Sequence, residues 1–404
     1  MTMDNQEKAF EKLSRLKVGA LFMEMGTGKT KVALDLIASK AHKVDYILWI
    51  CPFSIKSEIE AERRKWHEEL TLDIVGCESI GGSDRTFLKT LQAVKTHKTF
   101  IVVDESLKIK NKDAKRTERI LKLGEYSEYR LILNGTPLSK NVLDLWTQMQ
   151  FLSPKILRMS YNEFKNTYCE YYVRGRLKGL VKKQYNVENL ISLIDPYIFD
   201  CDLELGKQKH YFDYFYPLPN VEEYEELKML YLQDPNIDFM AISQALQAYY
   251  CNSAEKAQII EKLTSEINDR VIVFVKFLKS IPQGASSITG DLNEKDRAAV
   301  IEDFRQGKMK TLYITYGCGS FGLNLQFCRN IIFADHTFDY SQRIQAEARI
   351  FRIGQENDVN YYNLWCDVGL ERLIQKSLEK KTRLLDEVKK EINKVSIENL
   401  IKQL

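Results

Sequence analysis

The chain has 404 residues, with 59 Lys and Arg against 56 Asp and Glu, and 44% of it is hydrophobic. That is material for two conventional cores, and it excludes a disordered or fibrous chain. No apolar run approaches the ~20 residues of a membrane helix and the start lacks the pattern of a secretory signal, so a cytoplasmic protein without membrane contact is expected.

In chain order, the first predicted strand is 18–23. It runs into Gly26-Thr27-Gly28-Lys29-Thr30, and a helix follows over 31–39 with Val32, Ala33, Leu36 and Ile37 apolar. Strands are next predicted at 46–51, 100–103 and 130–133. The strand 100–103 ends in Asp104-Glu105, and 130–133 ends in Asn134-Gly135-Thr136-Pro137. From 155 to about 250 the strand–helix alternation fades. Val173 to Val181 reads as a hairpin punctuated by Gly175 and Gly179, and residues 171–185 hold Arg174, Arg176, Lys178, Lys182 and Lys183 with no acid. Residues 201–250 hold 3 basic side chains against 9 acidic ones, and a helix is expected to begin over 221–227. The pattern then resumes with strands at 271–275, 311–315, 330–334 and 359–364, and Gln345, Arg349 and Arg352 lie between the last two. From Gly369 onward, Leu370, Leu373, Ile374 and Leu378 at helical spacing predict a C-terminal helix. Strands alternating with helices in both halves predict parallel α/β sheets. The eight cysteines are scattered and the five histidines isolated, which reads as reduced thiols with neither disulfides nor zinc.

Three of these sites point to chemistry. Glycines let backbone N–H groups turn toward phosphate, and the helix N-terminus adds a favourable dipole. In Gly26-Thr27-Gly28-Lys29-Thr30, Lys29 would bridge terminal phosphates and Thr30 would ligate Mg²⁺, although Met23 stands where the strict eight-residue pattern has its first glycine. Asp104 would hold the metal through water and Glu105 would take a proton from the attacking water. Arg349 and Arg352 lie three apart, so one helical face is expected to present both, with Gln345 one turn earlier. Guanidinium groups there could neutralise charge developing on a γ-phosphate.

In this order the motifs resemble those of superfamily-two helicases, most closely the Swi/Snf-like DNA translocases. Asn5-Gln6, Cys51-Pro-Phe-Ser54, Lys110-Asn111, Asn134 to Asn141, Gly317 to Leu325 and Gln345 to Gln355 extend the match over nearly the whole chain. The resemblance implies an α/β fold of two tandem RecA-like lobes sharing one ATP site, with DNA across both. It divides the chain into a first lobe at 1–155, an insertion and linker at 156–250, and a second lobe with its C-terminal helix at 251–404. It also implies that Gln6 reads adenine and that Ser320, Gly322 and Asn324 couple nucleotide to DNA. Ser54 and Lys56 in one lobe, and Lys276 and Thr315 in the other, would touch backbone phosphates, and the hairpin residues Arg174, Arg176 and Lys178 would add a duplex or junction contact.

Two departures stand out. Ser106-Leu107 follow the acid pair where the family often has Ala-His, and Leu107 cannot make the histidine's hydrogen bond toward Gly135-Thr136-Pro137. The linker stretch Pro196-Tyr-Ile-Phe-Asp-Cys201 lacks the arginines often found there. The compact set of motifs is similar to minimal members from bacterial viruses. That implies a monomeric, ATP- and Mg²⁺-dependent motor on duplex, forked or branched DNA in replication, recombination or repair. An RNA helicase, and a nucleotide-gated DNA clamp without net movement, are the alternatives.

Overall fold

The computed structural model describes residues 2–135, 142–171, 181–233, 239–320 and 323–379. Of these, the residues up to Glu204 form one compact unit and those from Leu205 onward form another.

The first unit is built on β1 (Val18–Met23), β2 (Tyr46–Cys51), β3 (Asp73–Gly76), β4 (Thr99–Val103), β5 (Tyr129–Leu133) and, past the two-stranded ribbon of β6 (Cys169–Tyr171) and β7 (Val181–Gln184), β8 (Ile198–Cys201). Its six-stranded sheet has the order β3-β2-β4-β5-β1-β8, and every pairing in it is parallel. Parallel strands covered by helices on both faces read as continuous apolar runs, which is why Val18–Met23 and Thr99–Val103 are buried almost end to end. The helix Lys29–Ala38 covers one face with Val32, Ala33, Leu34, Leu36 and Ile37. These pack with Leu21, Met23, Trp49, Val102 and Leu133 in one core.

The second unit repeats the plan with β9 (Lys209–Tyr216), β10 (Val271–Val275), β11 (Ser287–Ile288), β12 (Thr311–Thr315), β13 (Asn330–Phe333) and β14 (Val359–Cys366). The order is β11-β12-β10-β13-β14-β9, again with parallel pairings. The chain is thus α/β with two parallel sheets, as the alternation predicts.

The middle of the chain is where the observed fold differs most from the expectation. The stretch 156–250 is shared between the units and supplies the edge strand of each sheet, β8 beside β1 and β9 beside β14. Residues 205–250 also enter the second core through Tyr216, Tyr224, Ile242, Leu246 and Tyr250. β9 shows no period-2 alternation because its aromatic residues Tyr211 and Phe212 stack on Tyr361 and Tyr362 of β14, at 5.1 and 5.2 Å, so both neighbours in sequence are aromatic. The helix expected from 221 is present as Val221–Gln233.

The hairpin is seen at its base, where β6 and β7 pair antiparallel with Cys169 opposite Gln184. Arg174, Arg176 and Lys178 lie outside the described residues, while Lys182 pairs with Glu170 at 2.8 Å. At the far end, 369–379 is helical, with Leu370 and Ile374 in the second core and Leu378 packed against it. The remainder of the expected C-terminal helix lies outside the described residues.

Candidate active site

The phosphate loop leaves β1 at its C-terminal end, the side on which open parallel sheets bind ligands. Gly26 and Gly28 have φ of 87° and 86°, left-handed values that glycine adopts without a Cβ clash, and Gly28 caps the helix that starts at Lys29. Thr27 is buried and folds back, its N–H and Oγ1 donating to Glu24 O at 3.3 and 2.7 Å. Gln6, expected at adenine, donates through Nε2 to Thr27 O at 3.0 Å, and a Cβ on Gly28 would lie 2.2 Å from that amide nitrogen. The amide of Gln6 therefore braces the loop directly. Lys29 and Thr30 occupy the first turn of the helix, and the Lys29 ammonium approaches Gly135, where an added Cβ would sit 3.6 Å from Nζ. Gly135 thus flanks the loop; Thr136 and Pro137 lie outside the described residues.

Asp104 and Glu105 follow β4 at the same end of the sheet. Asp104 is 3% exposed, its N–H donates to Ile50 O at 2.8 Å, and its Oδ1 accepts from Glu105 N–H at 2.9 Å. Glu105 takes φ 51° and ψ 54°, a left-handed conformation that costs a residue with a Cβ about 1–3 kcal/mol and that recurs at functional sites. Burial, and then the neighbouring Glu105, push the Asp104 carboxyl up to about 7, with Lys29 offsetting part of the rise. The hydroxyl of Thr30 and this carboxylate are hard oxygen donors of the kind Mg²⁺ takes, and a buried acid beside a second acid suits a divalent cation.

The native state therefore holds the Asp104 proton more tightly than the unfolded chain does, and the folded protein loses stability as pH rises from about 4 through about 7. Without nucleotide and in chelator, Asp104→Asn should melt above wild type at pH 8, and the gap should close on acidification toward pH 4. Differential scanning calorimetry across that range checks this, and a gap independent of pH would contradict it.

At both departures noted in the sequence, other polar residues make buried contacts. Beside Leu107 the contact lies one residue earlier. Ser106, fully buried, donates to Gln148 Oε1 at 2.6 Å and accepts from Asn134 Nδ2 at 3.4 Å. Gln148 belongs to the helix Asp144–Leu152 and donates in turn to Asp144 O at 2.7 Å. A buried polar chain thus joins the residue after the acid pair to the first residue of Asn134-Gly135-Thr136-Pro137. At the linker, Glu24 does the anchoring: its N–H donates to Cys201 O at 2.9 Å and its Oε2 accepts from Leu203 N–H at 2.7 Å. The residue that receives Thr27 of the phosphate loop therefore also holds the chain where it leaves β8. Neither role has a sequence signature, because each joins residues far apart in the chain.

Of the expected phosphate contacts, Ser54 lies in the 3-10 turn Phe53–Ile55 after β2, and Lys56 starts the helix Lys56–Trp66 with its ammonium 5.8 Å from the Phe53 ring. Phe53 itself is 69% exposed. In the second unit Lys276 follows β10, and its Nζ donates to Gln247 Oε1 at 2.5 Å while burial pulls the ammonium below its ordinary range. Thr315 ends β12 and donates to Cys318 Sγ at 3.1 Å. Ser320 closes the 3-10 turn Tyr316–Ser320, and Gly322 lies outside the described residues.

Gln345 lies on the helix Tyr340–Glu347, but Arg349 and Arg352 do not share that helix. The chain tightens after Glu347 into turns, with Arg349 N–H donating to Ala346 O at 3.2 Å and Ile350 N–H to Glu347 O at 3.3 Å. Gln355 Nε2 draws the Ile350 and Cys328 carbonyls to itself at 3.2 and 3.0 Å, which competes with helix continuation. Arg349 is 2% exposed. Arg352 is half-buried, and its Nη1 donates to Asn324 Oδ1, bringing together two residues expected at the nucleotide.

Comparison with known proteins adds a family to this geometry. A model described as SNF2-related domain matches residues 12–279, and one described as helicase conserved C-terminal domain matches residues 254–354. The chain is 24% identical over 406 residues to an uncharacterized ATP-dependent helicase, YqhH, of Bacillus subtilis (strain 168), covering 89% of this chain and 68% of that one. It is 25% identical over 424 residues to an uncharacterized ATP-dependent helicase of Mycoplasma pneumoniae, covering 93% and 40%. With the transcription regulatory protein SNF2 of Saccharomyces cerevisiae it shares 24% over 453 residues, covering 90% and 26%. The chain therefore spans from about a quarter to about two thirds of the length of these relatives. Among solved structures, the Sulfolobus solfataricus SWI2/SNF2 ATPase core in complex with dsDNA aligns at 22% identity and a TM-score of 0.44, covering 96% of this chain and 92% of that chain.

Proposed function

The chain belongs to the SNF2-related family, and from that premise we propose that it is an ATP-driven motor on DNA, hydrolysing ATP to move along or remodel the duplex. The observation that bears most weight is the meeting, at one end of the first sheet, of the glycine-capped loop with Lys29, the buried Asp104 and the left-handed Glu105.

In this reading Lys29 and the backbone N–H groups of Gly26 to Thr30 hold the triphosphate, and Gln6 fixes the loop that receives it. Thr30 and Asp104 would hold Mg²⁺, which when bound neutralises charge on the terminal phosphates. Glu105 orients the attacking water and accepts its proton. Arg349 and Arg352 act on the γ-phosphate, and Asn324 and Gln345 orient them. Ser54, Lys56, Thr315 and the basic hairpin grip DNA through its phosphates, so affinity is indifferent to sequence and falls with salt. The hairpin, with Lys182 and Lys183 at its base, favours forked or branched DNA over plain duplex.

Family membership and the Lys110-Asn111 and Arg352-Ile353-Gly354-Gln355 signatures support DNA over RNA as the partner. The deciding experiment is ATP turnover measured against single-stranded, duplex, forked and four-way DNA and duplex RNA, beside triplex displacement by the same protein. Turnover should rise with DNA, most with forks or junctions, and should fall steeply between about 50 and 200 mM salt. Equal turnover with and without DNA would end this reading, stronger stimulation by RNA would replace it with an RNA helicase, and stimulation without displacement would leave a clamp.

A further inference from the structure

The turn that bears Arg349 and Arg352 starts from Glu347. Its carboxylate is buried, accepting from Arg343 Nε at 2.7 Å and from the Tyr211 hydroxyl at 2.9 Å. Its backbone carbonyl accepts from the Tyr361 hydroxyl at 3.1 Å and from the N–H groups of Ile350 and Phe351 at 3.3 Å each. Arg343 is fixed in its turn, with Nη2 donating to Asn363 Oδ1 at 2.7 Å and the guanidinium 3.4 Å from the centroid of the Phe333 ring. Strands β9, β13 and β14 and the helix Tyr340–Glu347 thus all contribute to locating residue 347. A buried ion pair is seldom more stabilising than apolar side chains of the same volume, so its use here is better explained by the geometry it imposes. That geometry is the position of the carbonyl from which the next four residues fold.

We propose that Glu347 is a positioning residue for Arg349 and Arg352, and that Tyr211 on β9 steadies it. The proposal rests on those arginines acting on ATP as described above. Tyr211 also makes the arrangement sensitive to β9, since its hydroxyl reaches the carboxylate from that strand.

The test compares the full-length wild type with Glu347→Gln and Tyr211→Phe. Two readouts are used: amide hydrogen exchange over residues 345–356, and steady-state ATP turnover with DNA. Glu347→Gln should speed exchange across the turn about tenfold and lower kcat about 10- to 100-fold, with KM for ATP within about threefold, because misplacement by about 1 Å can cost that much rate. Tyr211→Phe, which removes one oxygen and preserves the stacking on Tyr361, should move both readouts the same way by a smaller factor. It decides the matter if Glu347→Gln does not fold. Unchanged exchange in both variants, or a lowered melting temperature with kcat per folded molecule intact, would overturn the proposal. Absence of ATP turnover in the wild type would instead overturn the reading of the site, and the exchange comparison would still judge Glu347.

Discussion

Glu105→Gln is expected to lower ATP turnover about 10²- to 10⁴-fold while nucleotide affinity stays within a few-fold, the range that loss of one positioned proton acceptor produces. The amide keeps the size and the left-handed backbone of Glu105 and forfeits only the ability to take a proton. The 2.9 Å bond from residue 105 N–H to Asp104 Oδ1 is a main-chain contact and survives the change. Replacing Glu105 by glycine would confound the test, because glycine relieves the φ of 51° and could stabilise the protein for reasons unrelated to catalysis. Lys29→Ala is the complementary variant. It removes the charge next to Gly135 and the buried acid, so it should weaken nucleotide binding as well as turnover. Phosphate release and titration with a fluorescent ATP analogue separate the two. Turnover in Glu105→Gln within about threefold of wild type would remove Glu105 from the chemistry.

The parts of this architecture visible from residues alone are those with a local cause. β1, β2, β10 and β12 match their expected bounds because each is a short run rich in apolar and β-branched residues, with its central residues buried. The phosphate loop declares itself through glycine spacing, and the observed φ values of Gly26 and Gly28 are the physical reason for that spacing. What the sequence hides is set by partners distant in the chain. β8 and β9 are strands because an edge of a finished sheet is there to receive them. β3 is four residues that begin at the exposed Asp73, and β11 is two residues long, too little for a periodic signal. Ser106, Gln148, Glu24 and Glu347 look like unremarkable polar residues until pairs such as Ser106 with Gln148, 42 residues apart, are brought together. The reading of Arg349 and Arg352 as one helical face fails for the same reason: helical spacing continues through them, but Gln355 and Leu325 claim the Ile350 and Arg349 carbonyls that a longer helix would use.

Arg352→Lys is expected to reduce kcat about 10³-fold with a small change in KM for ATP, at the lower edge of what an arginine acting on a γ-phosphate contributes. Lysine keeps the charge, but its single ammonium cannot bond Asn324 and a phosphate oxygen together in the fixed fork of a guanidinium. Of the two arginines this one gives the cleaner experiment. Arg349 is 2% exposed, so its truncation would leave a cavity and disturb packing, mixing stability with chemistry. Arg352 is half-buried, and its replacement should leave the melting temperature nearly unchanged. If Arg352 and Glu105 serve the same transition state, the double variant Arg352→Lys with Glu105→Gln should be far less impaired than the product of the single losses, since residues acting as a unit are not additive. Steady-state kinetics on the four proteins supply the cycle. Full multiplicativity would mean that Arg352 contributes elsewhere, and wild-type turnover in Arg352→Lys would mean that any cation suffices at that position.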